Sequence, residues 1–434
     1  MKKIFYYLFT FALLLQVTVS IVCCDDPFQN NDEPGRIDTI PTPKPNPDDT
    51  ILKPEPKPLP VYKGKESFEN IALEFMDEFK ASDFENILEL TEYIINEYAE
   101  YEYDEAEEWF NETVQSLYKE ETPNYYKAVY TLSAFTGKLV AENGRWKRYN
   151  AKNLSINVND QNGNPCVVTL TTSGTKKKVL IYEEEWEEDD VRYEAWVELP
   201  QTIKVVLEQN GNKLAEVIIN TDLSSISGSK LNINKDKYNV STTIYFNGYS
   251  FNIEKLTYEN KKESKAVFSF KHDSRTLLSA TLSVTPGVIA EGDIFEDIEV
   301  EEVTLKNNSL SINVLDSLEI KGSCTDLMKV IEILDDDWDE YTDSKLNRYF
   351  DINLYFYGAK EATASVEFES FNDRYCTDCQ EYHYDLVPVM VFNDGSRHSC
   401  EEFFNEEDFQ TTIKAFSALL QEFEDLIHGF EFDY

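Results

Sequence analysis

The chain has 434 residues and a formal charge of −42 at neutral pH, from 82 acidic and 40 basic side chains. A field of that sign repels phosphate backbones and anionic head groups, which excludes nucleic-acid binding. Hydrophobic residues make up 41% and aromatic residues 13%, so most of the chain can bury a core and is not an acidic disordered polymer.

Lys2 and Lys3 precede an apolar run from Ile4 to Val22, closed by Cys23, Cys24, Asp25 and Asp26. A positive start, an apolar stretch and a late first acid mark a secretory signal. The alternative is an uncleaved membrane helix, for which about 19 apolar residues is short. Ile21-Val22-Cys23-Cys24 resembles the lipobox of bacterial lipoproteins, and Asp25-Asp26 resembles the acidic segment of surface-exported lipoproteins of the Bacteroidota. The resemblance covers the leader and tether alone. It implies that residues 1–23 are removed, that Cys24 carries acyl chains such as palmitate, and that the protein is an outer-membrane lipoprotein exposed at the cell surface. The membrane, held through the lipid, is then its first partner.

Residues 24–65 form a tether. Ten of the fifteen prolines lie here, in runs such as Pro41-Thr-Pro-Lys-Pro-Asn-Pro47. Alternating proline favours extended polyproline II and denies the chain ladder hydrogen bonds. At about 3.1 Å per residue the tether reaches on the order of 100 Å. Asp38-Thr39-Ile40 and Asp49-Thr50-Ile51 resemble the O-glycosylation signal of Bacteroidota envelope proteins, which implies glycans on Thr39 and Thr50; the other reading is an unmodified spacer.

Residues 66–137 read as a helical segment. Phe68, Ala72, Phe75, Met76 and Phe79 recur at helical spacing, and Ser82-Asp-Phe-Glu85 has the pattern of a capping box. A third helix is expected from Asp104 to Tyr118, ended by Pro123, and a fourth from Asn124 to Gly137. These apolar stripes read as core.

Over residues 138–286 the period changes to two. Asn143-Gly144, Asn162-Gly163, Asn210-Gly211 and Asn247-Gly248 punctuate alternating segments. Asn-Gly suits the positive φ of a type I′ hairpin turn, so the segment reads as an antiparallel meander of roughly a dozen strands. A sheet that large is expected to curl and to be covered on its concave face. Residues 287–434 add strands, a helix through Leu327, Val330, Ile331 and Leu334, and a closing helix from about Glu406 to His428. The fold class is α+β: a large curled antiparallel meander covered by N-terminal and C-terminal helices, with 66–434 as one body.

Five cysteines remain after the anchor: Cys166, Cys324, Cys376, Cys379 and Cys400. Cys166 alternates with Val168 and Leu170 and reads as core. Cys376, Cys379, His398 and Cys400 have zinc-like residue types, but a hairpin turning at Asp394-Gly395 holds Cys400 opposite about Pro388, away from Cys379. The expected metal is therefore none, with a local Cys376–Cys379 disulfide or free thiols as the alternatives. Trp186 and Trp338 sit in acidic runs, and Trp196 lies between Glu194 and Glu198 on one strand face. An exposed indole among carboxylates suits sugar recognition, whereas the plainer readings are solvated acidic loops and a Trp196 covered by a helix. No Ser-His-Asp pattern, glycine-rich phosphate loop or metalloprotease helix is present, so no cofactor is expected.

These features together predict a lipid-anchored, non-enzymatic binding module for a glycan or protein. The alternatives are a carrier of hydrophobic ligands in the curled sheet and a glycoside hydrolase using paired carboxylates.

Overall fold

The computed structural model describes residues 64–186, 191–226, 228–230, 232–291, 299–335, 341–376, 381–404 and 408–428. Cys24, Thr39 and Thr50 lie outside these residues, as do Trp338 and Cys379. Three helices open the described chain: α1 (Lys65–Glu78), α2 (Ser82–Tyr98) and α3 (Asp104–Ser116). An 18-stranded, mostly antiparallel sheet follows. From β5 (Leu154–Asn159) to β18 (Arg397–Ser399) each strand pairs antiparallel with the next in the chain. Two early hairpins are added by parallel pairing: β3 (Gly137–Glu142), hairpinned to β4 (Arg145–Tyr149), runs along β5, and β2 (Tyr125–Tyr130), hairpinned to β1 (Tyr118–Thr122), runs along β7 (Val191–Gln209). Between β14 (Leu318–Asp326) and β15 (Phe350–Phe356) lie α4 (Leu327–Asp335) and α5 (Thr342–Leu346), and α6 (Cys400–Phe403) follows β18. The last described element is α7 (Gln410–His428). No described helix is long and apolar enough to cross a membrane.

The main core lies where helices meet one end of the meander. Across the strands the register aligns Phe251, Phe270, Leu278, Val314, Leu318 and Phe356 in one row. Phe68, Ile71 and Phe75 of α1 pack on that end, together with Phe403 and Phe409. Burying a side chain of this size contributes roughly 1.5–3 kcal/mol, so this contact holds the helices to the sheet. At the elbow between α1 and α2, Tyr249 is fully buried and its hydroxyl donates to Asp83 Oδ2 at 2.7 Å. The His272 ring stacks on Tyr249 at 4.3 Å, and its Nδ1 meets Glu78 at 3.1 Å.

Several expectations are corrected. The fourth helix is absent: residues 125–130 form β2, and only Leu132–Ala134 make a single 3-10 turn. Asn124 takes φ +67°, which turns the chain back into a hairpin, and Tyr-Tyr-Lys-Ala-Val-Tyr is rich in strand-favouring aromatics. The capping box does not form, since the cap position of α2 falls on Ala81 in helical geometry and Ser82 is already inside the helix. Asn-Gly turns with positive φ at both residues occur at 143–144, 210–211 and 247–248. At Asn162-Gly163 only the glycine is positive, because Asp160 organises the turn by accepting from the Asn162 and Asn164 amides.

The expected curl is also corrected: the sheet is not strongly curled. No pairing among the described residues joins β18 back to β4 or β5. The main core brings α1 onto the later strands, and Tyr98 of α2 packs on Trp146 and bonds to Asn159 at the β4–β5 end, whereas every residue of β9 (Tyr238–Phe246) is half-buried. Strands in that condition form a single layer, with no packed body to wrap around.

Candidate functional site

The parallel docking of β2 on β7 builds two unlike surfaces, back to back. Pairing sets Lys127 opposite Glu194 and Val129 opposite Trp196 on one face. On the other face it sets Tyr126 opposite Tyr193 and Ala128 opposite Ala195.

The first face is an ionic network centred on Glu194, which is 7% exposed. Its carboxylate accepts from Tyr125 Oη at 2.7 Å, Trp196 Nε1 at 2.7 Å and Arg192 Nη2 at 2.6 Å. Lys127 Nζ lies 3.9 Å away and sits 4.2 Å from the Trp196 ring centre. Burial opposes ionisation of Glu194, but the Tyr125 and Trp196 hydrogen bonds and the charges of Arg192 and Lys127 outweigh it and hold its pKa below the ordinary carboxylate range. Tyr125 is pushed up in turn, chiefly by donating to Glu194. A carboxylate so fully committed is a buttress, not a proton donor. Trp196 therefore corrects both expectations for it: it is half-buried beneath Lys127 and bonded to Glu194, neither bare for stacking nor sealed by a helix.

The second face carries five tyrosines. Strands β1, β2, β7 and β6 (Pro165–Trp186) lie side by side, and one register row reads Tyr118, Ala128, Ala195, Tyr182. Tyr126 and Tyr193 flank that row and stack at 5.1 Å and 15°. Tyr130 flanks it on the other side, its hydroxyl 2.7 Å from that of Tyr118 with the rings at 89°. Burial and this contact raise the Tyr130 phenol to about 12. Ala128 is fully buried, whereas Tyr118 is 47% and Tyr182 52% exposed. Small residues in the middle and phenols around them make an aromatic platform open to solvent. Beyond it, Val179, Leu199 and Ile226 form a small core, and Lys177 Nζ donates to the Ile226 carbonyl at 2.6 Å, tying the 223–230 loop down beside the platform.

The other expected site residues are dispersed. Trp186 pairs with Val191 at the far end of the β6–β7 ribbon. Cys376 pairs with Glu381 at the tip of β16 (Ala364–Cys376) and β17 (Glu381–Phe392), whereas His398 pairs with Met390. Glu381 and Met390 are nine residues apart on one strand, about 30 Å at ~3.3 Å per residue, so the long ribbon carries Cys376 away from His398. Cys400 does not share a strand face with His398; it starts α6 and packs on the main core as a free thiol. Among the described residues no group of three or more His, Cys, Asp or Glu is placed to hold a metal. Cys166 is a buried free thiol. The tyrosine platform was not anticipated, because the segment carrying Tyr126 and Tyr130 read as helix. The alternation of Tyr126, Ala128 and Tyr130 was the available signal.

Comparison with family models, with curated proteins and with solved structures finds no match for this chain.

Proposed function

We propose that the protein is a lipid-anchored, stalk-displayed binding module of the outer membrane that recognises a glycan through the tyrosine platform. The observation that carries this is the row Tyr118–Ala128–Ala195–Tyr182 with Tyr126, Tyr130 and Tyr193 beside it. Phenol rings offer apolar faces for the C–H side of a sugar and hydroxyls for its rim, at low conformational cost. The Glu194 network behind the platform keeps β2 and β7 in register, so the rings are held in place before a ligand arrives. The leader and the Cys24 lipobox support display at the cell surface, with the proline tether as spacer.

A glycan array and affinity electrophoresis in polysaccharide gels test the reading on the full-length chain. The double variant Tyr118→Ala/Tyr182→Ala is expected to weaken glycan binding by about tenfold with only a small change in thermal unfolding, since each ring is about half exposed. An array without hits, or binding indifferent to both substitutions, overturns it. The anchor is checked separately: Cys24→Ala is expected to abolish palmitate labelling and release the protein from the envelope fraction.

A further inference from the structure

A second surface lies at the helical end, remote in sequence from the tyrosine strands. Helices α1, α2 and α7 enclose an open groove of about 1040 Å³. Leu73, Met76, Phe79, Ala415, Ala418 and Leu419 supply its apolar lining. Asp77, Glu85, Glu89, Glu92 and Glu422 line it as well, and Lys80 is its one cation among the described residues. None of these five carboxylates is in an ion pair among the described residues. That contrasts with Glu74 and Glu78 on the sheet side of α1, which are both paired with Arg275. Glu85, Glu89 and Glu92 follow i, i+4, i+7 spacing, so they form one charged stripe along the groove wall.

We propose that this groove receives a cationic amphipathic helix of a partner protein. The apolar lining suits the leucine-type face of such a helix, and the acidic walls suit lysine or arginine on its flanks. Charge selects this occupant over others. A second copy would bring another chain of net charge −42 to an acidic groove, and the carboxylates repel an anionic ligand. The groove lies open between the helices, which suits a helix laid along it better than a small molecule enclosed within it.

Calorimetry of the full-length chain against synthetic helical peptides decides the matter. The probe is a Leu/Lys peptide with leucines on one face; a scrambled peptide of the same composition and a Leu/Glu peptide serve as controls. The Leu/Lys helix is expected to bind with one site, to weaken with salt, and to bind far better than either control. Ala418→Trp, on an exposed position of the lining, is expected to reduce binding at least about tenfold by filling the groove without changing charge. Glu85→Gln/Glu89→Gln/Glu92→Gln is expected to do the same, whereas the charge-matched Glu105→Gln/Glu107→Gln/Glu108→Gln on exposed positions of α3 leaves binding within about twofold. Equal losses in the two triple variants, equal binding of the scrambled peptide, or indifference to Ala418→Trp with folding intact each overturn the proposal. Glycan binding by Ala418→Trp is expected to be unchanged, so failure here leaves the platform reading standing.

Discussion

Two regions of the sheet are stabilised by different physics. At the end covered by α1 and α7, apolar rows from successive strands meet helix phenylalanines, and burial does the holding. Around β8 (Asn212–Asp222) and β9, residues are half-buried or exposed along nearly the whole strand, and neighbouring strands hold one another through ladder hydrogen bonds and cross-strand pairs. A single layer of that kind can carry a flat, exposed recognition surface, because it does not need both faces for its own core. On the far side of β8 and β9 from the main core lies the platform, where Glu194 and its donors replace an apolar core on the back of the sheet.

Substitutions should separate these regimes. The largest loss is expected from Phe356→Ala, which opens the helix-covered core and should cost about 3–5 kcal/mol in denaturant unfolding. Glu194→Ala should come next, at about 2 kcal/mol, because it leaves the Trp196 and Tyr125 donors without their buried acceptor. If it costs as much as Phe356→Ala, the platform has a core of its own and the contrast fails. Acid should act in the same region. Glu194 ionises more readily in the folded protein than its ordinary value of 4.5, so its contribution is whole above that value and is lost as pH falls through the lower folded one. Glu216, lowered chiefly by Lys204, and Glu78, lowered chiefly by Arg275, add in the same sense. Stability measured between pH 5 and 3 should fall, and less steeply for Glu194→Gln than for the native chain. The smallest effect is expected from Thr243→Ala on β9, within about 0.5 kcal/mol, since a half-buried side chain on a single layer has few partners to lose.

Local chemistry made much of the meander legible. The Asn-Gly pairs at 143, 210 and 247 take the positive φ values that their hairpins require, and Cys166 is buried on the face its alternation assigns. Long-range chemistry was not legible. Nothing near Tyr125 says that its strand will lie parallel to a segment beginning at Val191, so the periodicity of 125–130 could be taken for helical. The same pairing brings Lys127 over Trp196 and Tyr182 beside the other tyrosines, which no reading of one strand alone reveals. The capping-box pattern at Ser82 failed because the cap position falls on Ala81, in helical geometry, which leaves Ser82 inside α2. Curl was inferred from strand number, but the sheet is not strongly curled, and strands such as β9 are only half-buried along their length.

The order in which the chain becomes ordered follows from the docking of β2 on β7. Several hairpins close on tight turns, such as those at Asn210-Gly211 and Asn247-Gly248, whereas Tyr125 must find Arg192 across an intervening stretch that includes β3 to β6. Closing so wide a loop carries the larger entropic toll and waits on a finished partner strand. The tyrosines of β1, β2, β6 and β7 are thus brought together late, and they stay apart until the sheet beneath them has formed.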